Sequence, residues 1–218
     1  MQRLGFAVFT LASVTLFLAL AVWAEGGLSA FMAYPSLIAL ALATYGFGIL
    51  ATFTVGSLSR GEREDKANRW VIVAFTLIGL ADGFLPAWTD RRGLWTIDGE
   101  AVRWVGFALF CLGCVLRIAP VFVLKNRFSG LVAIQPGHQL ETGGLYAIVR
   151  NPSYVGLLIT TLGWGLAFRA WAGVILTLLT IPVLVSRMDS EERLLASQFG
   201  EAYEAYRART WRLIPWVY

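Results

Sequence analysis

The sequence predicts an all-α, polytopic membrane helix bundle of about six transmembrane helices, with an amphipathic interfacial helix near its C-terminal end. Three observations carry this. The 218 residues are 57% hydrophobic and only 15% charged, with a mean hydropathy of +0.65, far too apolar for a water-soluble domain. Charges fall in clusters separated by uncharged runs close to the ~20 residues that an α-helix needs to cross a bilayer. Finally, the basic residues alternate between rich and poor segments along the chain, as the positive-inside rule demands of successive loops.

The elements follow in order. Leu4 to Ala24 holds no charge and forms the first span; its apolar run is too long for the core of a cleaved signal peptide. The second span is expected over Ser36 to Leu58, after the Tyr34-Pro35 step. Trp70 to Thr89 is interrupted only by Asp82, and Trp104 to Leu124 only by Arg117, so both read as spans. Asn151 to Phe168 and Ala170 to Ser186 are shorter and separated by Arg169 alone, which predicts a tight helical hairpin. Asn151-Pro152 is its start signal, with asparagine at the N-cap and proline at the first helical position.

With the N-terminus inside, the inner segments carry Arg3, the Arg60 to Arg69 group, Lys125, Arg127, Arg150, and the arginines from Arg187 to Arg212. The outer loops keep only Arg91, Arg92, Arg103 and Arg169. Both termini are therefore expected in the cytoplasm, with the segment before the hairpin on the same side as the C-terminal tail. The net charge of +4 is accounted for by this bias and by anionic lipid, so no nucleic-acid partner is implied. Cys111 and Cys114 read as helix-packing residues, and no spacing suggests a metal site. No repeat or linker divides the chain. It reads as a single integral-membrane domain over 1–218, with four spans in 1–124 and the hairpin in 125–218.

Two polar regions stand out. GHQLETGGLYAIVRNPSYVG, residues 137–156, gathers the one histidine of the chain, four glycines, two tyrosines and an arginine ahead of a helix start. A helix N-terminus with Arg150 beside it attracts a carboxylate or phosphate, and Gly143 and Gly144 allow close backbone approach. Beyond Ser186 the chain turns charged. From Ser190, Leu194, Leu195, Phe199, Ala202, Tyr203 and Tyr206 share one helical face, and Glu192, Arg193, Glu201, Glu204 and Arg207 the other. This predicts the interfacial helix, with Glu201, Glu204 and Arg207 on a solvated face. Arg187 and Glu191, four apart at the membrane boundary, read either as a simple i,i+4 ion pair or as part of a functional site.

These residues resemble the isoprenylcysteine carboxyl methyltransferase family. The likeness rests on GHQL (137–140), GLY (144–146), VRNPSYVG (149–156) and RMDSEERLLASQFGEAYEAY (187–206), in the family's order and spacing over roughly the C-terminal 95 residues. Integral-membrane methyltransferases acting on phospholipid amines share part of the pattern, and membrane sterol reductases that use a nicotinamide cofactor are more distant relatives. The resemblance implies S-adenosylmethionine as methyl donor, S-adenosylhomocysteine as product and no metal. The cofactor site would be cytoplasmic and would include His138, Gln139, Leu140, Glu141, Tyr146, Arg150, Asn151, Tyr154 and Glu191. Arg187 and Glu191 would be the catalytic pair, with Arg187 facing a lipid-like or lipidated acceptor, most readily the carboxylate of an isoprenylcysteine. Asn151 stands where the isoprenylcysteine enzymes usually carry histidine, so a proton-transfer role at that position is not implied. Arg117, in the fourth span, is expected either to snorkel or to line the acceptor groove. A transporter or assembly factor without a cofactor remains the non-enzymatic alternative.

Overall fold

The computed structural model describes residues 2–53, 63–64, 66–124, 133–134 and 140–218. Among them are eight α-helices: α1 (Gln2–Glu25), α2 (Leu28–Met32), α3 (Pro35–Thr52), α4 (Trp70–Arg91), α5 (Ala101–Leu124), α6 (Pro152–Ala167), α7 (Trp171–Phe199) and α8 (Glu201–Ala208). Two-residue strands β1 (Arg63–Glu64) and β2 (Ala133–Ile134) pair antiparallel.

Five helices, α1, α3, α4, α5 and α7, are long and apolar enough to cross a membrane. Of the six expected, one arm of the hairpin falls short of that length. The first arm of the hairpin, α6, has only 16 residues, about 24 Å at 1.5 Å per residue, against a hydrocarbon layer of about 30 Å. The second span closes at Thr52; residues 54–58, assigned to it from sequence, lie outside the described residues. The charged C-terminal region divides between two helices. α7 runs without a break from Trp171 to Phe199, because no glycine or proline between Ser186 and Phe199 interrupts the i to i−4 ladder and the charged residues there are good helix formers. The stop comes at Gly200, whose φ of 51° suits glycine, leaving α8 as a separate short helix. Tyr203 and Tyr206 are buried as the amphipathic pattern required, Glu201, Glu204 and Arg207 are exposed, and Ala202 is exposed although it was expected on the apolar face.

One end of the bundle is organised by three similar helix stops. α1 ends with Gly27 N–H on the Val22 carbonyl and Gly26 N–H on Trp23, α4 with Leu94 on Thr89 and Gly93 on Asp90, and α6 with Ala170 on Gly165 and Arg169 on Leu166. Each is a paired six-to-one and five-to-two closure around a left-handed residue. In the first two that residue is glycine, Gly26 and Gly93; in the third it is Arg169, with φ 49°. Its side chain explains why arginine is tolerated there: Arg169 Nη2 reaches Asp90 Oδ1 at 3.0 Å. The same carboxylate meets Arg103 Nη2 at 2.7 Å, both side chains being fully buried, and Arg103 Nη1 donates to the Ala167 carbonyl at 3.0 Å. The Arg103 guanidinium also lies 4.0 Å from the Tyr34 ring centroid.

Inside the bundle, glycine decides how closely helices approach. A Cβ on Gly113 of α5 would stand 2.4 Å from the backbone nitrogen of Thr160, and one on Gly156 of α6 2.5 Å from that of Arg117. Gly106 and Gly163 repeat the contact one heptad away. Membrane helices gain their association from such close backbone packing, since lipid supplies no hydrophobic drive between them. Trp164 fills the centre, with ring centroids 4.6 Å from Phe17, 5.2 Å from Phe168 and 5.9 Å from Phe110. Its indole N–H donates to the Asp82 carbonyl at 2.8 Å. That carbonyl is the one that Pro86, four residues on inside α4, leaves without its helical donor. The proline and the tryptophan are thus complementary parts of one buried joint.

Candidate active site

The α5–α6 glycine contact sets the depth at which α6 begins, and the opposite end of the bundle takes its shape from there. Asn151 occupies the N-cap position and Pro152 the first turn, as the sequence predicts. The asparagine side chain, however, makes no cap bond. Its Nδ2 donates instead to the Arg212 carbonyl at 3.1 Å, since Arg212 belongs to a tail segment laid against this turn. Tyr154 and Ser153 point from the first turn in two directions. Ser153 meets Arg117 of α5, whose Nη1 donates to Ser153 Oγ at 3.1 Å. Arg117 is thus held half-buried at the α5–α6 junction, one residue from Tyr154.

Tyr154 faces α7, where Arg187 and Glu191 stack one turn apart. Arg187 Nε donates to the Tyr154 hydroxyl at 2.6 Å and to Glu191 Oε1 at 2.9 Å, and Tyr154 in turn donates its hydroxyl proton to the same Oε1 at 2.6 Å. The i,i+4 pair is thus present and is completed by a third group from another helix. Arg187 is buried, while Glu191 keeps 26% of its side chain exposed. Oε2 of Glu191 makes no hydrogen bond among the described residues. The constellation combines a partly accessible carboxylate, an aromatic hydroxyl and a guanidinium where α6 begins and α7 leaves the apolar layer. A cationic ligand group suits the open carboxylate oxygen, and an anionic one suits the guanidinium.

The loop ahead of α6 is described from Leu140, which is half-buried; His138 and Gln139, expected in the same site, lie outside the described residues. Glu141 turns back on the loop, its Oε1 accepting the Gly143 N–H at 3.1 Å. Gly144, with φ 55°, opens a 3-10 turn that ends at Ala147. Tyr146 contributes its carbonyl to the Tyr206 hydroxyl at 2.8 Å, a phenol whose pKa burial pushes up to about 12, keeping it a donor.

Arg150 departs from the expectation of a cation offered to a ligand. Its Nε pairs with Glu192 Oε1 at 3.3 Å and its Nη1 donates to the Thr210 carbonyl. Arg212 meets the same Glu192 oxygen at 3.2 Å and also pairs with Asp189. Burial works against the Arg212 charge, but Asp189 and Glu192 offset it and hold the pKa above its ordinary value. Glu192, expected only on the polar helical face, is one carboxylate clamped by two guanidinia. The tail adds backbone pairing, Trp211 N–H to the Ile148 carbonyl at 2.9 Å and Arg150 N–H to the Trp211 carbonyl at 2.8 Å. Across the site, Asn68 Nδ2 donates to Ser190 Oγ at 3.0 Å and Arg193 Nη2 donates to the same oxygen at 2.9 Å, tying the turn before α4 to α7. Sequence reasoning missed Asn68, Asp189, Glu192, Thr210 and Arg212. The only signal for the last four was the density of opposite charges in a segment that a plain surface helix does not require.

Comparison with known proteins fits this arrangement. Residues 101–202 match the family model described as phospholipid methyltransferase. Among curated proteins, the chain is 37% identical over 110 residues to a protein-S-isoprenylcysteine O-methyltransferase of Schizosaccharomyces pombe, covering 49% of this chain and 47% of that one. It is 30% identical over 124 residues to the Mus musculus protein of the same description, covering 54% and 44%. A solved eukaryotic intramembrane Ras methyltransferase, an isoprenylcysteine carboxyl methyltransferase, superposes with a TM-score of 0.57 at 21% identity, over 94% of this chain and 75% of that one. The chain is similar to isoprenylcysteine carboxyl methyltransferases over about half of its length. Its likeness to the family's curated sequences spans about half of their length, and the polytopic helical fold is shared more widely than the sequence. A steroid 5-alpha-reductase of Solanum lycopersicum is also similar, 32% identical over 114 residues and covering 52% of this chain and 42% of that one. The motifs quoted from the sequence that lie within the described residues fall at the end of the bundle where α6 begins and α7 continues past the span.

Proposed function

We propose that this chain is an integral-membrane methyltransferase that moves a methyl group from S-adenosylmethionine to the carboxylate of an isoprenylcysteine-like, lipidated acceptor. The observation that carries the reading is the Tyr154–Glu191–Arg187 constellation, built where the family motifs meet. The donor, when bound, supplies a methyl carried on a sulfonium. Glu191 Oε2 and the Tyr154 ring suit its cationic part, with His138, Gln139, Leu140, Glu141, Tyr146 and Asn151 of the motif loop as the remaining cofactor residues. Arg150 acts there as a positioning residue, seating the loop through Glu192 and Thr210.

For a carboxylate acceptor, an oxygen–carbon bond forms as the sulfur–carbon bond breaks, and no proton moves. Arg187 would orient the carboxylate through its guanidinium fork, with Arg117 flanking the acceptor path from α5. Tyr154 and Glu191 hold Arg187 in one rotamer, so alignment is set before the acceptor arrives. A phospholipid amine or thiol acceptor must first lose a proton, and Glu191 is then the base within reach. The reading treats the whole chain as one membrane domain, with both termini and the active site cytoplasmic in keeping with its basic residues.

Similarity to the steroid reductase favours one second reading, hydride transfer from a nicotinamide cofactor. Calorimetric titration of the purified protein with S-adenosylhomocysteine and with NADPH separates them. Micromolar binding of the former, weakened in both His138→Ala and Glu191→Ala, supports methyl transfer; binding of NADPH alone overturns it.

A further inference from the structure

We infer that residues 211–218 form a membrane-interface knob, whose partner is the headgroup–acyl boundary of the bilayer. The first support is depth. Leu213 is buried in a cluster with Leu184 and Met188 of α7. Leu184 lies just inside and Met188 just beyond Ser186 and Arg187, where the apolar run of α7 ends, so both mark the level of the membrane boundary. The tail, having left the span with α7, has therefore come back to membrane level.

The second support is that the backbone N–H groups of 211–218 are paired among the described residues except those of Arg212 and Trp216, which leaves few donors for a boundary poor in partners to satisfy. Leu213 and Ile214 N–H both donate to the Tyr218 carbonyl, at 2.8 and 3.0 Å, and Val217 and Tyr218 N–H both donate to Ile214, at 3.1 and 3.0 Å. Pro215 has no donor to satisfy. Trp211 is tied to the motif loop. The third is the outer surface: Ile214, Trp216 and Val217 are exposed by 52%, 84% and 75%, beside exposed Ile148 of the motif loop. Trp211 and Trp216 lie with ring centroids 6.5 Å apart, and exposed Arg207 and Arg209 precede them. Tryptophan with flanking arginine is the composition of a membrane–water boundary. The lipid-contacting element at this end is thus the closed turn after α8.

This inference does not depend on the methyltransferase reading, and its test needs no activity. A nitroxide is placed at Trp216→Cys in the full chain with Cys111 and Cys114 changed to alanine, reconstituted in nanodiscs containing anionic lipid. Its accessibility to oxygen and to a water-soluble nickel reagent is compared with labels at Leu178→Cys on the lipid face and Glu204→Cys on α8. The expected result is a pattern shifted toward that of Leu178, with oxygen access above and nickel access below those of Glu204. A nickel-rich pattern like that of Glu204 overturns the inference. Should the Trp216 variant fail to fold, Val217→Cys gives the same reading.

Discussion

Tyr154 and Glu191 share a proton-bearing contact of 2.6 Å between α6 and α7, and Arg187 touches both partners. The phenol therefore links the first turn of the hairpin to the charged turn of α7. Tyr154→Phe keeps the ring but removes a hydrogen bond to a charged group, worth about 1.5–3 kcal/mol. The melting temperature should fall with the lost bond, and S-adenosylhomocysteine affinity should fall by about tenfold as Glu191 loses its placement. Calorimetry on wild type and variant decides it; equal affinities would mean that Glu191 is placed without the phenol.

Glu192 makes a different prediction, because it sits between Arg150 and Arg212 and faces the loop. Glu192→Gln leaves two guanidinia without their shared carboxylate, a loss of about 1–3 kcal/mol. The loss should appear locally: hydrogen exchange at the amides of Arg150 and Trp211, which are paired across loop and tail, should accelerate while exchange along α5 stays slow. Uniform acceleration everywhere would show that Glu192 supports the whole fold.

Trp164 and Pro86 should show strong coupling. Removing the indole N–H in Trp164→Phe orphans the Asp82 carbonyl at a buried site, costing about 1–3 kcal/mol. Pro86→Ala supplies the helical N–H that this carbonyl lacks. The tryptophan substitution should therefore cost much less in the alanine background, and a double-mutant cycle of melting free energies measures the difference. Simple additivity would sink the joint.

Gly113 and Gly156 set the spacing of α5 and α6 and hence the meeting of Arg117 with Ser153. Gly113→Leu forces a side chain against Thr160 backbone, an overpacking of about 1–3 kcal/mol or more. Melting temperature should fall. Acceptor kinetics should worsen in whatever folds, because α6 carries Tyr154; an unchanged KM for the acceptor would separate helix spacing from the site.

How far the sequence could be read depended on what each feature needs. Uncharged runs and the Asn151-Pro152 start are local, and they located most helices and the turn at Arg169. The apolar run closes at Ser186, but helical hydrogen bonding is indifferent to leaving the membrane and stops only at Gly200. Arg187, Glu191 and Tyr154 were legible from their motifs. The clamp on Glu192 was not, because it depends on Arg150 and Arg212 meeting across some sixty residues, and helical periodicity assigns Glu192 only to a polar face. Arg150 illustrates the same limit: a basic residue at a helix start looks available for a ligand until the tail that occupies it is seen.

The ionic joint at the other end gives the sharpest control. Asp90 holds Arg103 at 2.7 Å and Arg169 at 3.0 Å, where α4 ends, α5 begins and the hairpin turns. Removing one member of a buried pair strands the other charge, typically at a cost of about 3–5 kcal/mol. Arg103→Ala also loses the bond to the Ala167 carbonyl and the contact with Tyr34. Its melting temperature should drop more than that of any site variant above. Because the joint lies across the bundle from Tyr154, Glu191 and Arg187, the protein that remains folded should bind S-adenosylhomocysteine as wild type does. Calorimetry below the lowered transition, on detergent-purified protein, reads this directly. A weakened affinity there would mean that the two ends of the bundle are coupled through α6 and α7, the helices they share.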